Sequence, residues 1–345
     1  MTAVPIIDLN VAEKDARERS RLDAACRDHG FFLLANHGMQ QQIDAMWQAS
    51  ERFFAQPSSL KRKLLRSDKQ PLGYYDRELT KRKRDLKEVF DFMPPSAKDI
   101  NQWPSTEDES EPGFATDFRT AMENFTESAG VLAARTLQLI YQSLNSEIPD
   151  TISNGIDALP RGQHRTSNIR LNYYPESDPL TIDEASKVIS LGDMALHHHT
   201  DPGILTLLVQ DMVGGLQTQS LEDGWIDVPP SPGTIVVNLG DAMQVWTNDL
   251  YRAAIHRVTP MNGQARYSTP YFFNPPGDAV LEPLDALIPT GQDIAPRYRA
   301  FTWKEFIQAR ISDNFEESGS GRHPNQSLQD RLALWVGSFN QKDHK

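Results

Sequence analysis

The alternation of apolar and polar positions predicts a series of short β-strands in the second half of the chain. Apolar and β-branched residues occur there in short runs that are bounded by Gly, Pro, Asp or Asn. Such runs at regular intervals are typical of an all-β sandwich or barrel. The predicted strands are 203–210, 215–219, 225–228, 234–239 and 266–276.

A helical pattern marks much of the remaining chain. Apolar residues recur at helical spacing over residues 41–54 and over residues 118–144, which form the longest such pattern. The other predicted elements are helices at 11–27, 303–311 and 328–339 and strands at 4–9 and 30–34. We therefore expect a mixed α and β fold.

Composition and charge narrow the class of protein. The 345 residues are 39% hydrophobic and 24% charged, as in an ordinary globular protein with a sizeable core. The formal net charge of −12 argues against nucleic acid and anionic membranes as partners, since both bind basic surfaces. No signal-like N-terminus or long apolar run occurs. The single cysteine, Cys26, fits a reducing cytoplasm and a buried thiol.

Candidate chemistry begins with His199-Thr200-Asp201 and with His256. Successive side chains of an extended segment point to opposite faces, so His199 and Asp201 reach one side when Thr200 points away. His256 must then come from a later strand that faces the same cavity. Two imidazoles and a carboxylate are the donor set that holds non-haem Fe(II) and leaves other coordination positions open. His199, Asp201 and His256 are therefore the predicted metal ligands.

Three consecutive histidines leave a choice of ligand. Among His197, His198 and His199, only His199 is followed two residues later by a carboxylate. The role of His197 stays open, because alternation could also turn its ring toward the cavity. His29 and His37 have no carboxylate at ligand spacing, and we expect them to be structural.

A second constellation, Arg266 and Ser268, lies on one predicted strand. Alternation places both on the same face, together with Phe272. A guanidinium with a hydroxyl two residues away can bind a carboxylate through paired N–H donors and one O–H donor. This arrangement favours an acidic cosubstrate beside the metal. The alternative is a surface arginine paired with one of the 47 acidic residues.

Residues 81–88 carry five basic side chains. A run of charge is usually a solvated face, and the alternative is that one of these residues attracts an anionic substrate. Residues 96–113 are dense in Pro, Ser, Asp and Glu, which predicts a long exposed connection.

Several stretches in a fixed order carry a family resemblance. They include Asn172-Tyr173-Tyr174-Pro175, His199-Thr200-Asp201-Pro202-Gly203, Gly214-Gly215-Leu216-Gln217, Val236-Val237-Asn238-Leu239-Gly240-Asp241, His256-Arg257-Val258 and Arg266-Tyr267-Ser268. Together they resemble the isopenicillin N synthase-like branch of the Fe(II)/2-oxoglutarate dioxygenases. The resemblance implies a double-stranded β-helix (jelly-roll) core braced by N-terminal and C-terminal helices. The implied divisions are an N-terminal α/β region at 1–115, a bracing helix and connection at 116–164, the core at 165–278 and a helical extension at 279–345.

The resemblance also implies the roles of residues around the metal. Asn172 and Tyr174 would hold 2-oxoglutarate together with Arg266 and Ser268. Phe272 looks like a wall of the substrate pocket. Arg170, which alternation places on the same face as Asn172 and Tyr174, is the second candidate for substrate binding. The residues expected around the metal are thus Arg170, Asn172, Tyr174, Arg266, Ser268 and Phe272.

The implied activity is that of an Fe(II)- and 2-oxoglutarate-dependent dioxygenase. Such an enzyme uses O₂ to oxidise a small organic molecule and releases succinate and CO₂, with hydroxylation as the default outcome and desaturation or ring closure open. Some relatives with the same ligands use no 2-oxoglutarate, so a 2-oxoglutarate-independent Fe(II) oxidase of the isopenicillin N synthase or aminocyclopropane carboxylate oxidase type is the alternative. We expect a small-molecule substrate, no nucleic-acid or membrane partner, and a monomer or weak homodimer in the cytoplasm.

Overall fold

The structure is a computed structural model that describes residues 3–67, 69–80, 83–95, 100–107, 111–144, 166–192, 194–220, 223–260, 263–288 and 296–316. Its strands are β1 (Ile6–Asp8), β2 (Phe31–Ala35), β3 (Gly73–Tyr75), β4 (Leu79–Thr80), β5 (Lys83–Arg84), β6 (Glu88–Phe92), β7 (Asn168–Tyr174), β8 (Leu196–His199), β9 (Leu205–Gln210), β10 (Leu216–Ser220), β11 (Gly224–Asp227), β12 (Thr234–Leu239), β13 (His256–Val258), β14 (Arg266–Phe273), β15 (Val280–Leu281) and β16 (Phe301–Thr302).

The helices in these ranges are α1 (Leu9–Ala12), α2 (Ala16–Asp28), α3 (Gln40–Phe54), α4 (Ser58–Lys61), α5 (Phe114–Ser143), α6 (Ile182–Ala185), α7 (Asp241–Trp246) and α8 (Trp303–Glu316). Short 3₁₀ turns occur at Arg62–Leu64 and Asp285–Leu287. None of the described helices is long and apolar enough to cross a membrane.

Two β-sheets form the centre of the molecule. The larger sheet has eight strands in the order β1-β2-β12-β9-β14-β7-β6-β3, and the smaller has four in the order β11-β10-β13-β8. Among the described strands of these two sheets, only β1 and β2 pair in parallel. Apolar side chains of both sheets meet in one buried cluster, so the sheets face each other. This is the predicted jelly-roll core, with helices around it.

The two faces of the larger sheet bury different side chains because successive residues of a strand alternate. On β12, Val236 points into the space between the sheets, whereas Ile235 and Val237 point to the opposite face. That opposite face packs against α2, α3 and α5 in the larger of the two apolar clusters. Asn172, Arg266 and Ser268 therefore lie on the inner face of the larger sheet, which faces the smaller sheet that carries His199 and His256.

The predicted elements that lie within the described residues agree with the structure except near their ends. The helix predicted at 11–27 is two helices, since the Asp15 carboxylate accepts a hydrogen bond from the Arg17 N–H at 2.8 Å and so caps α2. The longest helix begins at Phe114, earlier than predicted, immediately after Gly113 with a φ of 82°. The sequence pattern did not predict α7, because its six residues are all buried and show no amphipathic period.

The structure differs most from the sequence-based prediction at the charge run of residues 81–88. Among its described residues, Arg84, Asp85, Lys87 and Glu88 are all buried, so the predicted solvated face is wrong. Arg84 and Glu88 are compensated by Asp178 and Lys61 from distant parts of the chain, which a local pattern does not reveal. Asp85 and Lys87 pair with each other within the run.

Some predictions fall outside the described residues. The amphipathic segment at 328–339 and most of the connection after α5 belong to this group. The described parts of the predicted connection at 96–113, namely 100–107 and 111–113, contain no helix or strand, as predicted.

Candidate active site

The candidate metal ligands come from three places that the fold brings together. His199 ends β8 and His256 begins β13, and the two residues are directly paired across these antiparallel strands. Asp201 lies just beyond β8, in the loop that leads to β9. One ligand atom from each residue lies within 4.8 Å of the other two. The carboxylate oxygen Oδ1 of Asp201 is 3.7 Å from Nε2 of His199 and 3.9 Å from Nε2 of His256.

Hydrogen bonds to the backbone orient both imidazoles. Nδ1 of His199 is 2.9 Å from the carbonyl oxygen of His197, and Nδ1 of His256 is 3.0 Å from that of Ala254. A carbonyl accepts only, so each Nδ1 carries the proton and each Nε2 presents its lone pair toward Asp201. This is the tautomer that a metal ion requires of a histidine ligand.

The Asp201 carboxylate divides its two oxygens between the protein and the candidate site. Oδ2 accepts hydrogen bonds from Oγ1 of Thr206 at 2.6 Å and from Nδ2 of Asn238 at 2.8 Å. Oδ1 is the oxygen that faces the two imidazoles. Thr206 and Asn238 are paired across β9 and β12, so adjacent strands of the larger sheet hold this side chain.

The charge states of the cluster also fit a metal ion. Burial and then the neighbouring His256 lower the pKa of His199 to about 3, so His199 is neutral near pH 7. Burial opposes ionisation of Asp201, but the two imidazoles and the hydrogen bonds to Oδ2 outweigh it and lower the pKa of this carboxyl. Two imidazoles and one carboxylate, each with a donor atom on the same side, form a half-open set for a divalent ion.

The other histidines that the structure describes have different surroundings. The exposed His198 ring lies near Trp225, at 6.3 Å between ring centroids. His37 is buried, and its Nδ1 accepts a hydrogen bond from the Met39 N–H at 3.1 Å. Burial lowers the pKa of His37, which keeps this ring neutral. Among the described residues, the metal-type cluster contains neither of them, nor His29 or His197.

Arg266 is completely buried on the inner face of the larger sheet. Its Nε donates to the Gly214 carbonyl at 2.8 Å, Nη1 donates to Oγ of Ser268 at 3.1 Å and Nη2 donates to Oε1 of Gln210 at 3.3 Å. The guanidinium carbon lies 5.2 Å from the ring centroid of Tyr174. The surroundings of this cation are therefore polar and aromatic but carry no negative charge in these contacts.

The predicted partners of Arg266 surround it because of strand register. On β14 and β7, Arg266 is opposite Tyr174 and Ser268 is opposite Asn172. Nδ2 of Asn172 donates to Oγ of Ser268 at 3.4 Å. Sequence reasoning missed Gln210, although its place at the end of β9 opposite Ser268 puts it on the same face.

The described residues place no carboxylate within ion-pair distance of Arg266. Burial of a cation without a counterion lowers the stability of the folded protein. A guanidinium has five N–H donors, and some remain for a ligand after the three contacts above. The arrangement therefore fits an anionic group of a bound molecule.

The two candidate substrate residues lie on the same inner face. Phe272 is half-buried and is paired with Thr206 on β9 and Asn168 on β7, so it belongs to the row that supports Asp201. Arg170 donates two hydrogen bonds to Asp91, from Nε to Oδ1 at 2.6 Å and from Nη2 to Oδ2 at 2.8 Å. Arg170 is thus already paired, and its role toward a substrate stays a prediction.

An ionic cluster lies beside this face. Asp91 and Glu78 each bridge two arginines, Arg66 and Arg170, and Glu78 lies 2.5 Å from Nη2 of Arg66. Burial opposes ionisation of Glu78, but Arg170, then Lys87 and Arg66, outweigh it and lower its pKa to about 2. The cluster is therefore charged but internally balanced near pH 7.

A jelly roll that holds two imidazoles and one carboxylate between its sheets has the features of the non-haem iron oxygenase class. Comparison with known proteins identifies the family. The family model of the 2OG-Fe(II) oxygenase superfamily matches residues 165–275, and that of the non-haem dioxygenase in morphine synthesis N-terminal region matches residues 4–106.

Relatives and solved structures agree with these matches. The chain is 32% identical over 321 residues to gibberellin 2-beta-dioxygenase 4 of Arabidopsis thaliana, covering 91% of this chain and 92% of that protein. It resembles the structure of JOX2 in complex with 2OG, Fe and JA with a TM-score of 0.74 and 27% identity, over 97% of this chain and 90% of that one. It also resembles the structure of the dioxygenase for auxin oxidation in rice, with a TM-score of 0.69 and 26% identity over 90% of this chain and 96% of that one.

The chain belongs to the 2OG-Fe(II) oxygenase superfamily. It is an Fe(II)- and 2-oxoglutarate-dependent dioxygenase, with O₂ as the further cosubstrate, that oxidises a small organic molecule. The predicted class, fold and cofactors are thereby confirmed.

Proposed function

We propose that His199, Asp201 and His256 bind the Fe(II) ion, and that Arg266 and Ser268 bind the distal carboxylate of 2-oxoglutarate. The carrying observation is the fully buried Arg266 without an acidic partner in the described chain. It lies on the face of the larger sheet that also presents Thr206 and Asn238, the two residues that hold Asp201. A carboxylate supplies the counterion that this guanidinium lacks.

The residues around these two groups bind and orient rather than react. Asn172 and Tyr174 complete the cosubstrate pocket, since one touches Ser268 and the other stacks under Arg266. When bound, Fe(II) and 2-oxoglutarate supply the activation of O₂ and the removal of hydrogen from the substrate, with release of succinate and CO₂. Asp201 and His256 are buried, whereas the side chain of His199 is 32% exposed, so the ligand set is shielded on one side and reachable on the other.

Phe272 is the proposed substrate wall, and Arg170 is the second proposed substrate contact. Phe272 lies in the same cross-strand row as Thr206, which holds Asp201, so a molecule touching this ring would lie close to the metal. Relatives include a gibberellin 2-beta-dioxygenase and a feruloyl CoA ortho-hydroxylase, which supports a small organic substrate and hydroxylation as the outcome here.

The proposal extends to the branch and setting of the enzyme. The N-terminal dioxygenase region together with the oxygenase core supports the isopenicillin N synthase-like branch. The buried free thiol of Cys26 supports a cytoplasmic location, and the net charge of −12 argues against nucleic acid and anionic membranes as partners. A monomer or weak homodimer completes the proposal.

Titration of 2-oxoglutarate into the anaerobic Fe(II) protein tests the proposal. The wild type develops a visible charge-transfer band, and Arg266→Lys shifts the titration to higher concentration by roughly one to two decades. Lys keeps the charge but loses the paired donors, so this change is not conservative. The matched control is Arg257→Lys, because Arg257 lies over Trp225 with its guanidinium carbon 4.0 Å from the ring centroid and bonds Gln217 instead.

Two other results of these experiments would contradict the proposal. A wild-type protein that shows no band and consumes O₂ without forming succinate would be an oxidase that acts on a directly bound substrate. An unchanged titration in Arg266→Lys would instead place the distal carboxylate elsewhere.

A further inference from the structure

The helix α8 contacts the loop of the metal-ligand candidates through the side chain of Arg310. Its Nη2 donates to the backbone carbonyl of Thr200 at 2.5 Å, and its Nη1 donates to a carboxylate oxygen of Asp241. Thr200 is the residue between His199 and Asp201. Arg310 is therefore bonded to the peptide that joins the two candidate ligands.

The second partner of Arg310 holds the same loop from the other side. Asp241 is completely buried at the start of α7, and its backbone N–H donates to the carbonyl of Asp201 at 2.8 Å. The next N–H of α7, from Ala242, donates to the carbonyls of Pro202 at 3.2 Å and Gly203 at 3.1 Å. The loop that carries Asp201 thus rests on the N-terminus of α7, and Arg310 ties the two together.

The two segments also approach closely enough to exclude side chains. A Cβ at Gly240 would lie 2.3 Å from the carbonyl oxygen of Gly203 and 2.8 Å from that of Asp201. This close packing restricts the backbone of the loop to conformations in which its carbonyl groups accept hydrogen bonds from fixed donors. Arg310 supplies the donor for the carbonyl of Thr200.

Arg310 is itself held in place by the start of α8. The Glu305 carboxylate accepts hydrogen bonds from the Thr302 N–H and hydroxyl at 2.7 Å each, and the Glu305 N–H donates back to the Thr302 hydroxyl at 3.2 Å. This capping box fixes the first turn. Trp303 and Phe306 are buried in the larger apolar cluster. The helix is anchored, so the guanidinium approaches the loop from a rigid support.

We propose that Arg310 is a positioning residue for the metal centre, which sets the separation of His199 and Asp201 by bridging the Thr200 carbonyl and the Asp241 carboxylate. The inference rests on the ligand assignment proposed above. A planar guanidinium can meet two acceptors at once, whereas an ammonium group on a differently shaped stem cannot reproduce that geometry. Residues that orient metal ligands in this way typically contribute about ten- to hundredfold to metal affinity.

A purely structural role is the competing explanation. Asp241 is a buried carboxylate, and removal of its cation would destabilise the fold without any effect on the metal. Metal affinity of the folded protein separates the two roles, because loss of stability alone leaves that affinity unchanged.

The experiment measures the affinity of the folded, full-length protein for Co(II) by competition with a chelator, together with thermal unfolding of the metal-free protein. Arg310→Lys keeps a cation for Asp241 and is expected to weaken Co(II) binding about tenfold. The double variant Arg310→Gln with Asp241→Asn removes both charges and is expected to weaken it by a similar factor. Affinity for 2-oxoglutarate at saturating Co(II) is expected to stay within about twofold, since the Arg266 contacts are untouched.

The matched control is Arg297→Lys. Arg297 also comes from the C-terminal region and pairs with an acid that follows α7, since its Nη1 lies 2.8 Å from Oδ2 of Asp249, and this pair lies outside the metal-ligand loop. Its Co(II) affinity should equal that of the wild type.

Each outcome decides a separate point. Wild-type Co(II) affinity in Arg310→Lys and in the double variant, with or without a lower Tm, overturns the positioning role. The variants His199→Ala and Asp201→Ala, measured in parallel, test the ligand assignment itself. If they too retain full Co(II) affinity, the proposed ligand set is wrong, whereas a loss confined to them shows that only the role of Arg310 is wrong.

Discussion

At the scale of single residues, the Asp201 carboxylate is directed by its unequal oxygens. Oδ2 takes two hydrogen bonds from Thr206 and Asn238, so Oδ1 is left to face the two imidazoles. The side chain cannot rotate without breaking bonds in a buried site, where unmet polar groups are costly. Preorganisation of this kind lowers the cost of assembling the ligands when the metal binds.

Removal of one of these donors is expected to weaken metal binding. Asn238→Ala frees Oδ2 from one of its two hydrogen bonds, and we expect Co(II) affinity to fall about tenfold. The control Gln40→Ala removes a comparable amide-to-carboxylate bond, from Nε2 to Oδ1 of Asp44 at 2.8 Å, on the surface. Chelator competition gives both affinities, and equal values for Asn238→Ala and wild type would contradict the role assigned to the bond.

At the scale of elements, strands β4 to β7 show how buried charges are accommodated. Lys61 and Glu88 form a buried pair at 2.5 Å, and Arg84 pairs with Asp178. Each partner comes from a different element, so the charges neutralise each other only in the folded chain. Local composition predicts solvation for such a run, whereas the tertiary contacts make it part of the interior.

The low pKa of Glu78 makes part of this region sensitive to acid. Since its pKa falls from 4.5 to about 2 on folding, Glu78 stabilises the native state fully above about pH 4.5, and this contribution is lost as the pH falls toward 2. The difference corresponds to about 3 kcal/mol. We expect Glu78→Gln to be less stable than wild type at pH 7 and to lose less stability between pH 5 and pH 3.

Urea unfolding at several pH values measures that slope. The control is Glu123→Gln, because Glu123 is a surface residue paired with Arg119 four residues before it on α5. Parallel slopes for wild type and Glu78→Gln would show that Glu78 titrates normally in the folded protein.

At the scale of the whole molecule, the two apolar clusters have different structural roles. The larger cluster fixes the helices against the outer face of the eight-stranded sheet, and the smaller one joins the sheets around the site. Helix α5 packs against both α3 and α2 as well as strands of the sheet. The site therefore lies between the two sheets, on the side of the larger sheet opposite the larger cluster.

Phe118 tests this division. It is completely buried, with ring centroids 5.0 Å from Phe53 and 5.4 Å from Phe90. Phe118→Ala is expected to lower the free energy of unfolding by about 3–5 kcal/mol, because the ring leaves a cavity. The exposed Val131→Ala on the same helix should change it by less than about 0.5 kcal/mol. Co(II) affinity of folded Phe118→Ala should match wild type, and a large loss would show that the larger cluster also shapes the site.

The sequence alone determined the features that depend on local period and side-chain chemistry. Alternation placed Arg266, Ser268 and Phe272 on one face, and the spacing of His199 and Asp201 brought both to one point although Asp201 lies just beyond its strand. These features are local because the direction of a side chain follows from its place in a strand.

Only the tertiary structure decided which distant groups meet. The pairing of His256 with His199, the support of Asp201 by Asn238, and the reach of Arg310 to Thr200 all join residues far apart in the chain. Arg84 and Glu88 of the charge run are buried for the same reason, since their counterions Asp178 and Lys61 come from other parts of the chain. Long-range contacts of this kind depend on how whole sheets and helices pack, and a local sequence pattern does not predict that packing.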